Sequence, residues 1–524
     1  MAVMGRIEAT RDREPGGAAK LSQHRFRTRR SACGALLIGG MVWAPGREAS
    51  AEEGWRVTPF ISIEEVFNDN TQSSSTNQQA DAITEIIPEI HIDGQTARSQ
   101  MFLDYAPSFQ HYDFGTSPDH IDQYLVGAGS FTPLTNYLTI NFNASANETS
   151  GSGNLGNTTS NTLIPSNDRV LNFGGSIETR FHDQFKSAVT LDAFYRLSSS
   201  NSSQEGGPGP FGSLSRDLLQ RDVGVVIGSG QEFGRFGASI NLDRTQSTGT
   251  GSASNSKNDN DFIQFVYHLT HAYALVGSVG YQNIDYAANG TAPAYKNEGL
   301  TWTAGINAAP NARSTITLNY GRQNGGYAPT LNMTYQLGPR TSVLASYVVT
   351  VQNQLQSALQ TLQYLSRDEY GNPIDSRTGL PFVDVNNTFA SQNSLFRDKV
   401  GTISISHQFI RSQMSFSVTD DIRDSVVGVP STDRALGAVV TYSREFTPLM
   451  QGSVSVGYTD HKSTGSSLGG SGDSQIINTT LALSYLISNT ATANLTGTYF
   501  QRISDDAGSS ATTVQLTIGL RKEF

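Results

Sequence analysis

The residues able to do chemistry in this chain are few, and their spacing serves no common reaction. Of nine histidines, His268 and His271 come nearest to a ligand pair, but they flank a predicted turn and no acidic residue stands beside them, so a zinc set lacks members. Asp259 and Asp261 alternate with asparagines and offer oxygens for calcium. The glycine and closing glutamate of a calcium loop do not follow at the required offsets, so the stretch reads as a solvated loop. Gly465-Ser466-Ser467-Leu468-Gly469 fits G-x-S-x-G inside a Gly/Ser-rich run, without the strand-to-helix turn that presents a nucleophile. Gly151, Gly153 and Gly156 fit a phosphate cradle, but no helix follows to receive the phosphate. The pattern implies no catalytic residues, no resident metal and no cofactor; a barrel lipase or protease stays open as an alternative.

The strongest signal is positional. Counting back from Phe524, Leu520, Ile518, Leu516 and Val514 fall on one face, and Glu523, Arg521, Gly519, Thr517, Gln515 and Thr513 on the other. A strand repeats every two residues, so this segment has one apolar wall and one wet wall. A final strand ending at a terminal aromatic resembles the assembly signal of bacterial outer-membrane barrels, with Phe524, Leu520, Ile518 and Leu516 as its residues. Lys522 departs from the pattern, although close to a strand end its ammonium can reach the headgroups. The alternative is an ordinary closing strand of a soluble β-protein.

The beginning of the chain agrees with its end. Arg25, Arg27, Arg29 and Arg30 precede an uncharged stretch over 32–44, and Ala49-Ser50-Ala51 supplies small residues for cleavage. Residues 1–51 therefore read as a secretory signal peptide, cleaved near Ala51, and 52–524 as the barrel. Cys33, the single cysteine, lies at the front of the apolar stretch, which predicts neither a lipid anchor nor a disulfide. The chain carries a formal charge of −10, and the leader holds nine of its 36 Lys/Arg against four of its 46 Asp/Glu. What remains is more acidic still, which argues against nucleic acid as a partner. Hydrophobic residues make up only 37%, enough for a barrel in which half of each strand faces water. With no helix-length apolar run after the leader, any membrane crossing must be made by strands.

Alternation recurs from Trp55 onward, for example at Leu138, Ile140, Phe142 and Ala144, or Val189, Leu191, Ala193 and Tyr195. Long Ser/Asn/Gly-rich loops near 69–80, 150–166, 200–213, 248–258, 287–296, 357–394 and 463–473 alternate with short turns. Those turns include Gly94-Gln95, Thr132-Pro133, Asp183-Gln184 and Ser488-Asn489. The expected fold is all-β: a transmembrane antiparallel up-and-down barrel of about 22 strands, within about 18 to 24, with both termini periplasmic. Trp55, Phe60, Tyr105, Tyr112, Phe131, Tyr137, Tyr267, Tyr273, Phe446, Tyr499 and Phe500 sit near strand ends and are expected to form aromatic girdles. The predicted localisation is the Gram-negative outer membrane, with lipid, lipopolysaccharide and the barrel assembly machinery as partners.

Two regions invite a role in passage. The loop from Gln352 to Ser394 opens with Leu355, Leu359 and Leu362 at helical spacing and continues through Arg367, Asp368, Glu369, Asp375 and Arg377. Loops of this length are usually functional or disordered, and here the mixed charges are expected to constrict the lumen; a mobile surface loop is the alternative. In Thr190-Asp192-Phe194-Arg196 alternation turns Asp192, Phe194 and Arg196 to the lumen, as it does Gln515 and Arg521.

The segment Trp55 to Tyr112 contains Val57-Thr58-Pro59-Phe60-Ile61-Ser62, Asn68-Asp69-Asn70, Ala82-Ile83-Thr84-Glu85-Ile86-Ile87-Pro88-Glu89-Ile90 and Leu103-Asp104-Tyr105. These motifs, with Asp368-Glu369-Tyr370-Gly371 and Thr378-Gly379-Leu380-Pro381, resemble the outer-membrane β-barrel porins found with exopolysaccharide and PEP-CTERM systems. Glu89 departs from the glycine more usual there. The resemblance implies a conduit for exopolysaccharide export, working with a periplasmic polysaccharide export protein. A general or nutrient-uptake porin is the first alternative, and a surface receptor, adhesin or barrel enzyme the next.

Overall fold

Each alternating segment becomes a strand with one face to lipid and one to the lumen, as a period of two requires. The computed structural model describes residues 54–524 except 152–160, 166–167, 186–187, 205–214, 251–254, 289–292, 358–359, 361–364, 368–372, 376–388, 390–394, 429, 465–471 and 506–508. The proposed leader therefore lies outside the described residues. All pairings in the main sheet are antiparallel. Its 24 segments make 22 barrel strands, because two strands are each broken in two. Ser99–Tyr105 and Ser108–Tyr112 share one register against Asp81–Gln95, and His120–Asp122 and Leu125–Leu134 share one register against those two.

The barrel closes where Trp55–Asn68 pairs with Ala511–Glu523, from Phe60 opposite Glu523 to Asn68 opposite Gln515. Closure removes the unpaired edges that a membrane would not tolerate. Both chain ends of this seam lie on the side of the short turns, the periplasmic side, as the loop alternation predicts. The Asn68-Asp69-Asn70 motif locks the other end of the seam. Asp69 Oδ1 accepts the Val514 amide at 2.7 Å, and Asn70 Nδ2 donates to the Thr512 carbonyl at 3.0 Å. Pro88, which has no amide proton to give, faces the break at Ala106-Pro107 in the neighbouring strand, so the ladder loses its donor where its partner is interrupted.

Val514, Leu516, Ile518 and Leu520 are exposed on the outer wall, while Thr513 and Gln515 are buried within. Lys522 reaches the turn beside it and donates from Nζ to Thr490 Oγ1, which accounts for a cation on the apolar face. Trp55, Phe131, Tyr137, Tyr267, Tyr273 and Phe446 are exposed near the short turns and Tyr499 is exposed farther up. Tyr112 and Phe500 are not girdle residues: both are buried inside, at 6% and 0% exposure.

Three local expectations shift. Gly94 and Gln95 end a strand, and the turn falls on 96–98, where Thr96 Oγ1 accepts the Ser99 amide at 3.0 Å. Thr132 and Pro133 lie inside Leu125–Leu134, and the turn follows at 135–137 with Asn136 at positive φ. Asp259 and Asp261 are not in a loop but within Ser256–His268, where Asp259 is ion-paired with Arg244 and Lys257.

Candidate functional site

The external mouth is crossed by part of the barrel itself. Along Leu138–Ser150 and Arg169–Phe185 the outward face carries Phe142, Ile177 and Phe173, and by parity Glu148 and Arg169 belong to that face. Both nevertheless touch residues from the inward face of the preceding hairpin. Arg169 Nη1 bonds Asp122 and, at 3.1 Å, Glu148 Oε2; its Nη2 bonds Tyr112 Oη at 3.2 Å and Gln110 Oε1 at 3.4 Å. This arrangement requires the external end of the 138–185 hairpin to cross to the lumen side of the 108–122 hairpin. Accordingly, Leu125–Leu134 pairs with Leu138–Ser150 only as far as Leu125 opposite Ala146, and His120–Asp122 does not join that ladder.

The described part of the loop between Leu138–Ser150 and Arg169–Phe185 lies in the lumen. A 3-10 turn at Asn161–Leu163 seats Leu163 and Ile164 against Ile476 and Phe500, all four almost fully buried. Ile476 and Phe500 belong to Ser474–Ser488 and Ala491–Ser504, strands beyond the seam. Hydrogen bonds fix the turn sideways: Gln515 Nε2 donates to Thr162 Oγ1 at 2.6 Å, and Asn68 Nδ2 to the Thr162 carbonyl at 3.2 Å. The seam, the lumen residue Gln515 and this turn are thus one packed unit.

The 354–394 loop also enters the lumen at its described ends. Leu355 and Ser357 are buried, Gln356 Oε1 accepts Tyr286 Oη at 3.1 Å, and Phe389 packs on Ala435 and Val439 of Thr432–Thr447. The Arg423 guanidinium lies 3.8 Å over the Phe389 ring and bonds Asp421 at 3.0 Å, joining cation–π and ionic contacts. Among the proposed constriction residues, Arg367 and Asp375 belong to a small hairpin, Leu365–Arg367 with Pro373–Asp375. Asp368, Glu369 and Arg377 lie outside the described residues, as do the two glycine motifs except Gly151.

The lumen-lining residues read from alternation are placed lower on the wall. Phe194, in Val189–Gln204, lies over Gly224, where a Cβ would meet its ring at 2.2 Å. Arg180 and Arg196 sit 5.8 and 6.0 Å from the ring centroid, and Arg196 Nε donates to Glu178 at 2.9 Å. Asp192 accepts His182 Nδ1 at 2.6 Å. Arg521 stacks on Phe60 at 3.8 Å and bonds Glu89 at 2.8 Å. Glu89, the departure from the glycine pattern, thereby acquires a partner.

The wall from Ser256–His268 through Gly326–Gly338 differs in kind. Every Asp, Glu, Lys and Arg of these five strands falls on outward parity or at the strand-end turns, while the inward positions carry Asn, Gln, Ser, Thr, Gly, aliphatic and aromatic residues, with His268 at the periplasmic end. Within it a cleft of about 200 Å³ is lined by Asn260, Phe262, Gln264, Ser278, Asn319 and Gln323, among others.

His120, Asp122 and Glu148 form a cluster that sequence reasoning missed. Their ligand atoms lie within 4.8 Å of one another, a spacing that would suit a cation. Arg169, 1% exposed, already supplies positive charge to both carboxylates, so the group is a buried ion network that ties the crossing hairpins together. Alternation could not reveal it, because parity assigns Glu148, and Arg169 that binds it, to the lipid face.

No family model matches the chain, and no curated protein matches it. Among solved structures, the FrpB iron transporter of Neisseria meningitidis (F5-1 variant) aligns at 10% identity with a TM-score of 0.49, over 90% of this chain and 83% of that one. The ferric-catecholate import receptor Fiu of Escherichia coli aligns at 10% identity and TM-score 0.48, over 90% and 82%. A mutant of the ferric enterobactin receptor PfeA of Pseudomonas aeruginosa aligns at 10% and 0.44, over 91% and 81%. The chain is an outer-membrane-type β-barrel, closed by its first and last strands.

Proposed function

We propose that this barrel is an uptake channel for small hydrophilic solutes, with its external mouth narrowed by its own loops. The observation that carries the reading is the docking of Leu163 and Ile164 on Ile476 and Phe500. A permanently wide pore for a hydrated polymer would leave that space open, whereas a solute channel gains selectivity from a narrowed mouth. The polar inward face supports passage of water-soluble cargo, and the outer wall supports residence among lipid and lipopolysaccharide. No reaction is assigned.

Single-channel recording in planar bilayers tests this reading. Leu163→Asp places a charge in the apolar seat, so conductance should rise as the turn undocks. Wild-type conductance in a folded Leu163→Asp variant would remove the narrowing from the account.

The second reading, export of exopolysaccharide with a periplasmic partner, is favoured by the motifs between Trp55 and Tyr112. Deleting the gene should then abolish surface polysaccharide while leaving uptake of small sugars intact; the uptake reading expects the reverse. On either reading Leu516, Ile518, Leu520 and Phe524 serve assembly, and removing Phe524 should lower the yield of heat-modifiable barrel. An unchanged yield would deny the terminal aromatic that role.

A further inference from the structure

We infer that the cleft on the neutral wall is a subsite for an uncharged sugar ring, an assignment that deepens and rests on the solute-uptake reading. Its lining decides the class of ligand. Asn260, Gln264, Asn319 and Gln323 present carboxamides, Ser278 and Thr303 share a hydroxyl contact at 2.6 Å, and Phe262 contributes the flat apolar face. A carboxamide both donates and accepts, and a hydroxyl does likewise, so the set matches ligand groups that also do both. Sugar hydroxyls are such groups. Phosphates, uronates and ammonium groups need an opposite charge; the inward positions of these five strands supply none, and the charges at the borders are Asp243, opposite Asn260, and Arg397, bonded to the Gly325 carbonyl beside Gln323.

The carboxamides are available. Asn319 Oδ1 is packed over Gly305 without a hydrogen-bond partner in the protein, and turning the carboxamide into the cleft gives that costly unpaired acceptor a ligand hydroxyl to bond. Neighbouring glycines seat the lining side chains: Asn319 lies over Gly305 and Phe262 over Gly280. A Cβ at Gly305 would approach Asn319 Oδ1 to 2.2 Å. At about 200 Å³ the cleft holds one ring with part of its hydration. Neutral hydrogen bonds are individually weak, so a ring is recognised and released rather than trapped.

Saturation-transfer NMR on the refolded mature chain in detergent tests the assignment without requiring transport. Maltotriose is the neutral probe and trigalacturonate its charged counterpart of equal length. Wild type should transfer saturation to maltotriose with millimolar affinity and not to trigalacturonate. Phe262→Leu keeps an apolar side chain but removes the flat face, and should weaken maltotriose about tenfold; Asn319→Ala should weaken it about fivefold. Equal transfer to both probes, no transfer to maltotriose, or unchanged affinity in both variants would each overturn the subsite. Liposome swelling separates the two ideas. Vesicles that stay closed to every sugar while NMR binding persists would overturn the channel reading alone, and swelling without NMR binding would overturn the subsite alone.

Discussion

The two sides of the lumen treat polarity in opposite ways. Around the crossing hairpins, charges are buried and matched: Arg169 holds Asp122 and Glu148 from Nη1, and Gln110 and Tyr112 accept from its Nη2. On the wall from Ser256–His268 to Gly326–Gly338 the inward polar groups are uncharged, and Asn319 Oδ1 has no partner in the protein. A charge withdrawn from water must be satisfied by protein, so it can hold a structure together but cannot meet a passing solute. A neutral amide costs less to leave waiting, which makes it suited to brief contacts. At the crossing hairpins charge serves construction, whereas the neutral wall is the one suited to a passing solute on the uptake reading.

The sharpest way to break this contrast is Arg169→Ala. Removing the cation leaves two buried carboxylates with only His120 to share between them, and breaking a buried pair in this way typically costs about 3–5 kcal/mol. The variant should lose heat-modifiable folded barrel and unfold at lower urea, and any that folds should conduct more as the crossing hairpin loosens. Wild-type urea resistance would mean that the network is incidental. Asp122→Asn is gentler. Shape is kept and Arg169 retains Glu148, so what is lost is the charge assistance in the Asp122 contacts to Arg169 and His120, about 1.5–3 kcal/mol in urea titration. Equal losses in Asp122→Asn and Arg169→Ala would show that Glu148 contributes nothing.

How far the sequence carried these regions follows from where their order comes from. Period-two alternation is local, so the outward row Leu516, Ile518 and Leu520 and the inward row Asp192, Phe194 and Arg196 could be read directly. The ion network draws on two separate hairpins and depends on one crossing behind the other, which inverts the parity of Glu148 and Arg169. No local pattern encodes that. Length drew attention to the 357–394 loop, yet the clearest described obstruction comes from residues 161–164. Its sequence signal is small: Leu163-Ile164, an apolar pair within an otherwise Ser/Asn/Gly-rich loop, needs somewhere dry to go. The Asn68-Asp69-Asn70 motif was visible from the start, but its work as the clasp of the seam emerges only when residue 69 meets residue 514.

The finest probe adds charge to the side that has none. Asn319→Asp keeps nearly the same shape, and with the carboxylate turned from its buried place over Gly305 into the cleft the loss of stability should be about 1 kcal/mol. Its main effect should appear in the ions. A carboxylate on the neutral wall raises local cation concentration, so the reversal potential in a salt gradient should move toward cation selectivity. The shift should shrink at high salt, where screening shortens the reach of the charge. A reversal potential identical to wild type at low salt would place the ion path elsewhere in the lumen, and the contrast between the two walls would then describe how the barrel is built rather than what passes through it.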